Sequence, residues 1–413
     1  MQMVRIVVEI HVPTTMVIVD KLWFNSWEIS SSPNYMKKIK MKKLLYLFVF
    51  VVIMSCSNDM KLAEHKGLVS KTSRVELFDS ITLTMDSCSM RGNFFIWKDE
   101  ICFADVYYNR VFVFDKDNGQ MLTNYFGRGA SKNEIANMLY MHAIDNSNLA
   151  FYIDSSNGMY MIEDSTKIER IGNIDWGWDR PNIGNYESPS VYNIMEMSDF
   201  DMKITRVNDS ILIVPLSVVG RNLGNRTSSM FEKAHTFGLL NVNTMHVDSL
   251  FGKYPAQYKN IPTNLFTFFS YALDGDKIYV NHCIDSLIYV YEYPDKLLYT
   301  IGYEVPKIDR SYTQGNNLDP VVLDKDIQHV GVNTQLMYVK ETGILLRMVN
   351  SGGTYGSRFF LQAYKDDNLI AEAEVPAFFK CLGYANGIYY GVNMVPTVDE
   401  EKEVFTLYKF RIK

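Results

Sequence analysis

The sequence predicts an all-β fold, a six-bladed β-propeller of four-stranded antiparallel blades whose last blade is closed by an N-terminal strand. Three observations carry that expectation. From residue 74 onward helical periodicity is scarce and β-type patterning recurs. One phrase, a turn followed by two β-branched or aromatic runs, returns six times. The final copy is short of a strand that a segment near residue 75 can supply.

The six copies stand in order. Lys98-Asp99-Glu100 leads into Ile101-Cys102-Phe103-Ala104 and then Arg110-Val111-Phe112-Val113-Phe114. Asn146-Ser147-Asn148 leads into Leu149-Ala150-Phe151-Tyr152-Ile153, then Met159-Tyr160-Met161-Ile162. Asn208-Asp209-Ser210 precedes Ile211-Leu212-Ile213-Val214, and Gly238-Leu239-Leu240 follows after a long gap. Asp274-Gly275-Asp276 opens onto Lys277-Ile278-Tyr279-Val280, then Leu287-Ile288-Tyr289-Val290-Tyr291. Thr342-Gly343 precedes Ile344-Leu345-Leu346 and Phe359-Phe360-Leu361, and Asn386-Gly387 precedes Ile388-Tyr389-Tyr390 and Phe405-Thr406-Leu407-Tyr408. Asp-Gly and Asn-Gly supply the positive φ of tight hairpin turns. Tyr125-Phe126-Gly127, Arg170-Ile171-Gly172, Leu250-Phe251-Gly252 and Thr300-Ile301-Gly302 each close an outer strand. An inner strand before each turn, such as Phe94-Phe95-Ile96, makes four per unit. Four-stranded units repeating about every 45 to 65 residues indicate a propeller. Val75 to Phe78 with Ser80 to Thr84 can complete the last unit, which removes an open strand edge. A tandem of β-sandwiches would leave that match of missing and spare strands unexplained.

The chain also resembles the six-bladed β-propeller lipoproteins of Bacteroidetes, a mostly uncharacterised family, over residues 74–413. The residues that carry the likeness are Val111 to Asp115, Asp117-Asn118-Gly119, Phe126-Gly127-Arg128-Gly129, Glu134 and Ile144-Asp145. That family has a GxGxGPGE segment after the first blade. Gly127, Gly129 and Glu134 match it here, while Ala130-Ser131-Lys132-Asn133 replaces its central part. The resemblance implies the fold and an envelope location.

The N-terminus speaks for export. Residues 36 to 43 carry five lysines, and Leu44 to Met54 is an unbroken apolar stretch ending at Ser55-Cys56. A basic head, a short apolar core and a small residue at the cut site form a secretory signal. About twenty residues are needed to span a ~30 Å bilayer, so this stretch is too short to be a mature span. Ile53-Met54-Ser55-Cys56 resembles a lipobox, which makes Cys56 the lipidation site. Residues 1–35 are expected to be a mis-called start outside the fold, 36–55 the signal peptide, 56–73 a lipidated tether and 74–413 the propeller. Ser57 after the anchor favours the outer membrane, with the periplasmic or cell-surface side open.

Charge narrows the partners. The first 55 residues hold seven of the 41 basic and three of the 47 acidic side chains, leaving 34 Lys+Arg against 44 Asp+Glu. An acidic surface without basic runs argues against nucleic acid. Cys88, Cys102, Cys283 and Cys381 show neither a CxxC pair nor metal-ligand spacing, and free buried thiols are expected.

Function is expected on one face. Turns between strands one and two, and three and four, are short, whereas insertions at residues 127–137, 173–200, 218–234, 252–264, 303–327, 350–357 and 394–403 all fall on the opposite face. One elaborated face on a rigid scaffold suits binding. Trp176, Trp178 and Arg180, followed by Tyr186 and Tyr192, suit stacking on a sugar or anchoring a protein, against the alternative that the tryptophans cover the blade core. Arg128, Arg221 and Arg226 lie in other loops of that face and can grip carboxylates. No GxSxG, HExxH or GxxxxGK[ST] motif occurs. His142 and His329 fall near inner strands but lack carboxylates in register. The expectation is a non-enzymatic envelope lipoprotein, without metal or cofactor, that binds a glycan or protein. A hydrolase or lyase with its site at the central channel is the alternative.

Overall fold

The computed structural model describes residues 64–413 except 84, 86–87, 130, 132–133, 145–148, 154–157, 165–166, 178–184, 196–202, 220–227, 260–265, 314–319, 354–357, 396 and 400–401. Cys56, expected as the lipidation site, the expected signal peptide and residues 1–35 lie outside the described residues, as do Trp178, Arg180, Arg221 and Arg226.

The chain is a β-propeller of four-stranded antiparallel blades. After β1 (Val75–Leu83), sheet I holds β2 (Gly92–Trp97), β3 (Glu100–Asp105), β4 (Arg110–Phe114) and β5 (Met121–Phe126). Sheet II holds β6 (Tyr140–Ala143), β7 (Leu149–Ile153), β8 (Gly158–Asp164) and β9 (Lys167–Asn173). In sheet III two short strands, β10 (Tyr192–Ile194) and β11 (Thr205–Arg206), share the inner edge of β12 (Ile211–Val218). Helix α1 (Ser228–Lys233) then leads to β13 (His235–Asn241) and β14 (His246–Lys253). Sheet IV is β15 (Phe269–Asp274), β16 (Lys277–His282), β17 (Ile288–Glu292) and β18 (Lys296–Ile301). Helix α2 (Pro320–His329) precedes sheet V, which is β19 (Val332–Val339), β20 (Ile344–Asn350), β21 (Phe359–Lys365) and β22 (Asn368–Val375). Sheet VI is β23 (Phe379–Ala385), β24 (Ile388–Asn393) and β26 (Lys402–Ile412), with the short β25 (Thr397–Asp399) beside β26. Among the described residues, five sheets thus have an unbroken inner strand and sheet III has two short strands in its place.

The inner strands pack against their neighbours: β2 against β6, β15 against β19, β19 against β23, and β23 against β2. The last of these contacts joins the end of the chain to its start. β1 adds the outer strand of sheet VI, pairing from Val75↔Ile412 to Leu83↔Phe405. Buried amides stitch the inner strands together. Asn93 Nδ2 donates to Met141 O at 2.6 Å, and Gln335 bonds both the N–H and the carbonyl of Cys381, at 2.8 and 2.6 Å. An amide side chain bound to the next sheet's backbone satisfies groups that the ladder leaves open.

The residues expected as a free tether behave differently near its end. Thr300 N–H donates to Glu64 O and Lys66 N–H to Thr300 O, at 2.9 and 2.7 Å. Ser70 and Ser73 N–H donate to Leu369 O and Ile370 O, each at 3.0 Å. Residues 64 to 74 therefore form a strap across the outer strands β18 and β22 before β1 begins. The polar composition suggested a linker, but these backbone bonds need no apolar pattern, so periodicity could not show them. His329 ends α2 rather than lying on a strand, and Cys88, Cys102, Cys283 and Cys381 are free thiols.

Candidate functional site

Three of the long connections meet over sheet III. The β9–β10 connection carries Glu187, the β12–β13 connection delivers His235 at the start of β13, and β14 ends at Lys253 before the β14–β15 connection. All three lie on the loop-rich face by connectivity. Their positions are fixed by apolar anchors. Phe231 of α1 is buried and its ring lies 5.2 Å from that of Tyr254 and 5.3 Å from that of Tyr258. The buried Tyr192 hydroxyl accepts from His235 N–H at 2.9 Å and donates to Tyr186 O at 2.8 Å, which ties the first two connections together.

On this frame the three ionisable side chains touch. Glu187 Oε2 lies 3.0 Å from His235 Nε2, and Lys253 Nζ lies 3.1 Å from the same nitrogen. Lys253 also donates to Lys233 O at 2.5 Å, and its Nζ is 4.0 Å from Glu187 Oε1. Burial pushes the His235 pKa down despite the carboxylate beside it, and burial also lowers that of Lys253. The hydrogen bond from His235 pulls Glu187 below the usual carboxylate range. Two of these shifts oppose each other, since a neutral imidazole stabilises a carboxylate less than an imidazolium does. The buried ring favours the neutral form, with Nε2–H donating to Glu187. Nδ1 of His235 is buried without a hydrogen-bond partner.

Beside Lys253 a cleft runs between sheets III and IV, lined by Thr236, Phe237, Phe251, His282, Tyr291 and Pro294 among others. Its enclosed part leaves about 10 Å³ for the centre of a water-sized group, room for one oxygen atom. Gly252, at φ +70°, faces Thr236 so closely that a Cβ there would come within 2.3 Å of its hydroxyl. His282 is 1% exposed and both its ring nitrogens lack hydrogen-bond partners. The rings of Tyr254, Tyr258, Phe269 and Tyr289 surround it at 5.6 to 5.8 Å, and this burial drives its pKa down to about 3.

The residues expected from sequence fare unevenly. Trp176 is 2% exposed and belongs to the core with Ile174, Val191 and Met245, so its ring cannot stack on a ligand. Its neighbour Asp175 takes the edge position, with a bridge to His246, which turns the following indole inward. Trp178, Arg180, Arg221 and Arg226 lie outside the described residues. Arg128 is exposed on the connection between sheets I and II. The motif around it has a structural explanation. Glu134 accepts Ser131 N–H at 2.9 Å, and a Cβ at Gly129 would meet the Glu134 carboxylate at 2.0 Å. Glycine leaves room for that carboxylate to fold over the turn. Glu187, His235, Thr236, Lys253 and His282 were missed, because they are spread over nearly a hundred residues without a motif. Only the insertions that border them marked the place.

Among the described residues no group of three or more His, Cys, Asp or Glu is arranged to hold a metal, and no helix is long and apolar enough to cross a membrane.

No family model matches this chain, and no curated protein matches it. Solved structures do. A member of the DUF4221 family from Bacteroides vulgatus is similar with a TM-score of 0.64 at 13% identity, over 83% of this chain and 99% of that one. A Bacteroides fragilis protein provisionally named as exported gives 0.46 at 12% identity, over 85% and 99%. A PQQ-bound aldose sugar dehydrogenase from Streptomyces coelicolor gives 0.44 at 9%, over 84% and 100%. The first of these likenesses shows the fold that this chain shares with a Bacteroides protein.

Proposed function

We propose that this chain is a lipid-anchored envelope protein whose six sheets, the split sheet III included, form six blades and whose loop-rich face binds a glycan or protein. The observation that carries the reading is the meeting of Glu187, from the long β9–β10 connection, with His235 and Lys253, register partners where β13 and β14 border the long connections of that face. Turns on the opposite face are short and built to close hairpins, such as Asp274 to Lys277 and Ala385 to Ile388. The inner-strand amide of Gln335 is occupied at both atoms, and Asn93 Nδ2 donates to the next sheet, which favours a face site over chemistry in the channel. Lipidation at Cys56 and outer-membrane placement rest on the basic and apolar run before it.

Photo-crosslinking in the native bacterium tests this reading. A benzoylphenylalanine should give adducts from Glu187 or Arg128 and none from Lys116 or Asn386 on the opposite face. The protein should sit in the membrane fraction and leave it on Cys56→Ala. Adducts mainly from the opposite face would overturn the face assignment, and membrane retention of the Cys56→Ala chain would overturn the anchor.

A further inference from the structure

The cluster over sheet III cannot make all of its contacts at once. His235 Nε2 faces a carboxylate at 3.0 Å and an ammonium at 3.1 Å, and one ring nitrogen cannot donate to the first and accept from the second. If Nε2 carries the proton, Lys253 keeps only the Lys233 carbonyl and a carboxylate oxygen 4.0 Å away. If Nδ1 carries it, the buried Nδ1–H has no acceptor and Glu187 loses its bond. Either tautomer leaves a donor short. The carboxylate that half fills this seat belongs to Glu187, whose side chain is 74% exposed and contributes nothing to the core.

The cleft beside it has the complementary shortage. Both nitrogens of His282 are buried and unpaired, and His282 and Thr236 line the space with room for one oxygen. A buried polar atom left unpaired costs about 1–3 kcal/mol, so an oxygen that enters the space and bonds the ring is favoured. The wider cleft is lined by Tyr291 and the exposed Pro294, which present apolar surface near Lys253.

We propose that this is a binding site for an acidic sugar. The sugar carboxylate displaces that of Glu187 from His235 and Lys253, and one of its hydroxyls enters the space between Thr236 and His282. Glu187 is then a resident stand-in that the ligand must compete away. A sugar fits better than an acidic side chain of a peptide because it carries a carboxylate and hydroxyls on one rigid ring. Aspartate and glutamate side chains offer no hydroxyl for the second position. This inference rests on the loop-rich face being the binding face, and it names the ligand class that the face takes.

Calorimetric titration of the folded chain, with histidine ring shifts followed by NMR, tests it. The probes are galacturonate and glucuronate, with galactose and glucose as neutral controls and N-acetyl-glutamyl-glycine as the peptide arm. The uronates should bind at least about tenfold more tightly than the neutral sugars, a difference expected of a charge-assisted pair. Lys253→Met should remove about that factor, and Glu187→Gln should raise affinity several-fold because the competing charge is gone. Thermal melts confirm that each variant is folded, and the opposite signs of the two variants separate a site effect from a folding defect. Uronates binding no better than neutral sugars, or unchanged binding in Lys253→Met, would overturn the site. Weaker binding in Glu187→Gln would overturn the stand-in role, and peptide affinity equal to that of uronate would overturn the sugar class. Face-restricted crosslinks together with a silent uronate titration would sink this site and leave the binding face standing.

Discussion

Where sheet V meets sheet IV, a fully buried arginine is held by carbonyls, and where sheet III meets sheet IV, a fully buried histidine has no hydrogen-bond partner. Arg347 of β20 donates to Ser286 O at 2.8 Å, Asp285 O at 2.9 Å and Tyr303 O at 3.4 Å, leaving only Nε unpaired. Asn333 of β19 reaches His282 O and Asp285 O, while Arg310 bonds Cys283 O, Tyr312, Glu304 and the Asn333 carbonyl oxygen. Nearly every donor there meets an acceptor of the neighbouring backbone. At the other boundary both ring nitrogens of His282 and Nδ1 of His235 have no hydrogen-bond partner. Both boundaries are polar and buried, so burial alone does not separate stitching from a site. The degree of satisfaction does, because a closed network fixes geometry while an open one leaves free energy for a ligand to recover.

The largest effect should come from breaking the closed network. Arg347→Ala removes the guanidinium from three carbonyls and leaves a cavity in its place. Buried carbonyls left unpaired cost about 1–3 kcal/mol each, and the cavity adds to that. Chemical denaturation should show a loss of that size, and a loss below about 1 kcal/mol would show that water replaces the guanidinium freely.

Asn333→Ala should act in the same direction with less force. It deprives His282 O of its amide donor and Arg310 of an acceptor. Unpaired buried groups of this kind cost about 1–3 kcal/mol. In a double variant with Arg347→Ala the two losses should fall short of adding, since both side chains serve Asp285 O. Full additivity would mean that the network is a set of independent bonds.

The strands of these sheets were legible in the sequence, and the reason is local. Ile278 and Val280 alternate with tyrosine and lysine just after a Gly275 turn at φ +56°, and such a pattern has few other solutions. The closing strand β1 was legible too, from a missing strand and a spare one. Sheet III was the hardest to read, because its inner strand is split and its connection carries a helix of six residues. Trp176 misled because an aromatic in an insertion looks the same whether it faces solvent or the core. The Glu187, His235 and Lys253 cluster was invisible, since its members are neighbours only once β13 pairs with β14 in the register His235↔Lys253 and the β9–β10 connection folds over that pair. Length asymmetry pointed to the connections that border this cluster, but nothing in the chain says which side chain at a loop's end turns toward the next loop.

The smallest effect at neutral pH, and the sharpest test of the open boundary, concerns His282. In the folded chain its pKa lies near 3, against 6.5 for an ordinary histidine, and desolvation is the cause. Above pH 6.5 the ring is neutral in both folded and unfolded chains, so the full contribution to stability is present. Between 6.5 and about 3 the unfolded chain takes up a proton that the folded chain refuses, so stability falls as pH drops. The slope for one such group is about 1.4 kcal/mol per pH unit. His282→Phe keeps a ring among Tyr254, Tyr258, Phe269 and Tyr289 and cannot titrate. Its stability should match the native chain within about 1 kcal/mol at pH 7.5, the tolerance of a volume-conserving swap. It should then lose less than the native chain with each step toward pH 4. Urea midpoints at four pH values between 4 and 7.5 read the difference directly. Parallel curves for the two chains would mean that the imidazole has a partner in the folded state, and the boundary between sheets III and IV would then be as closed as its neighbour.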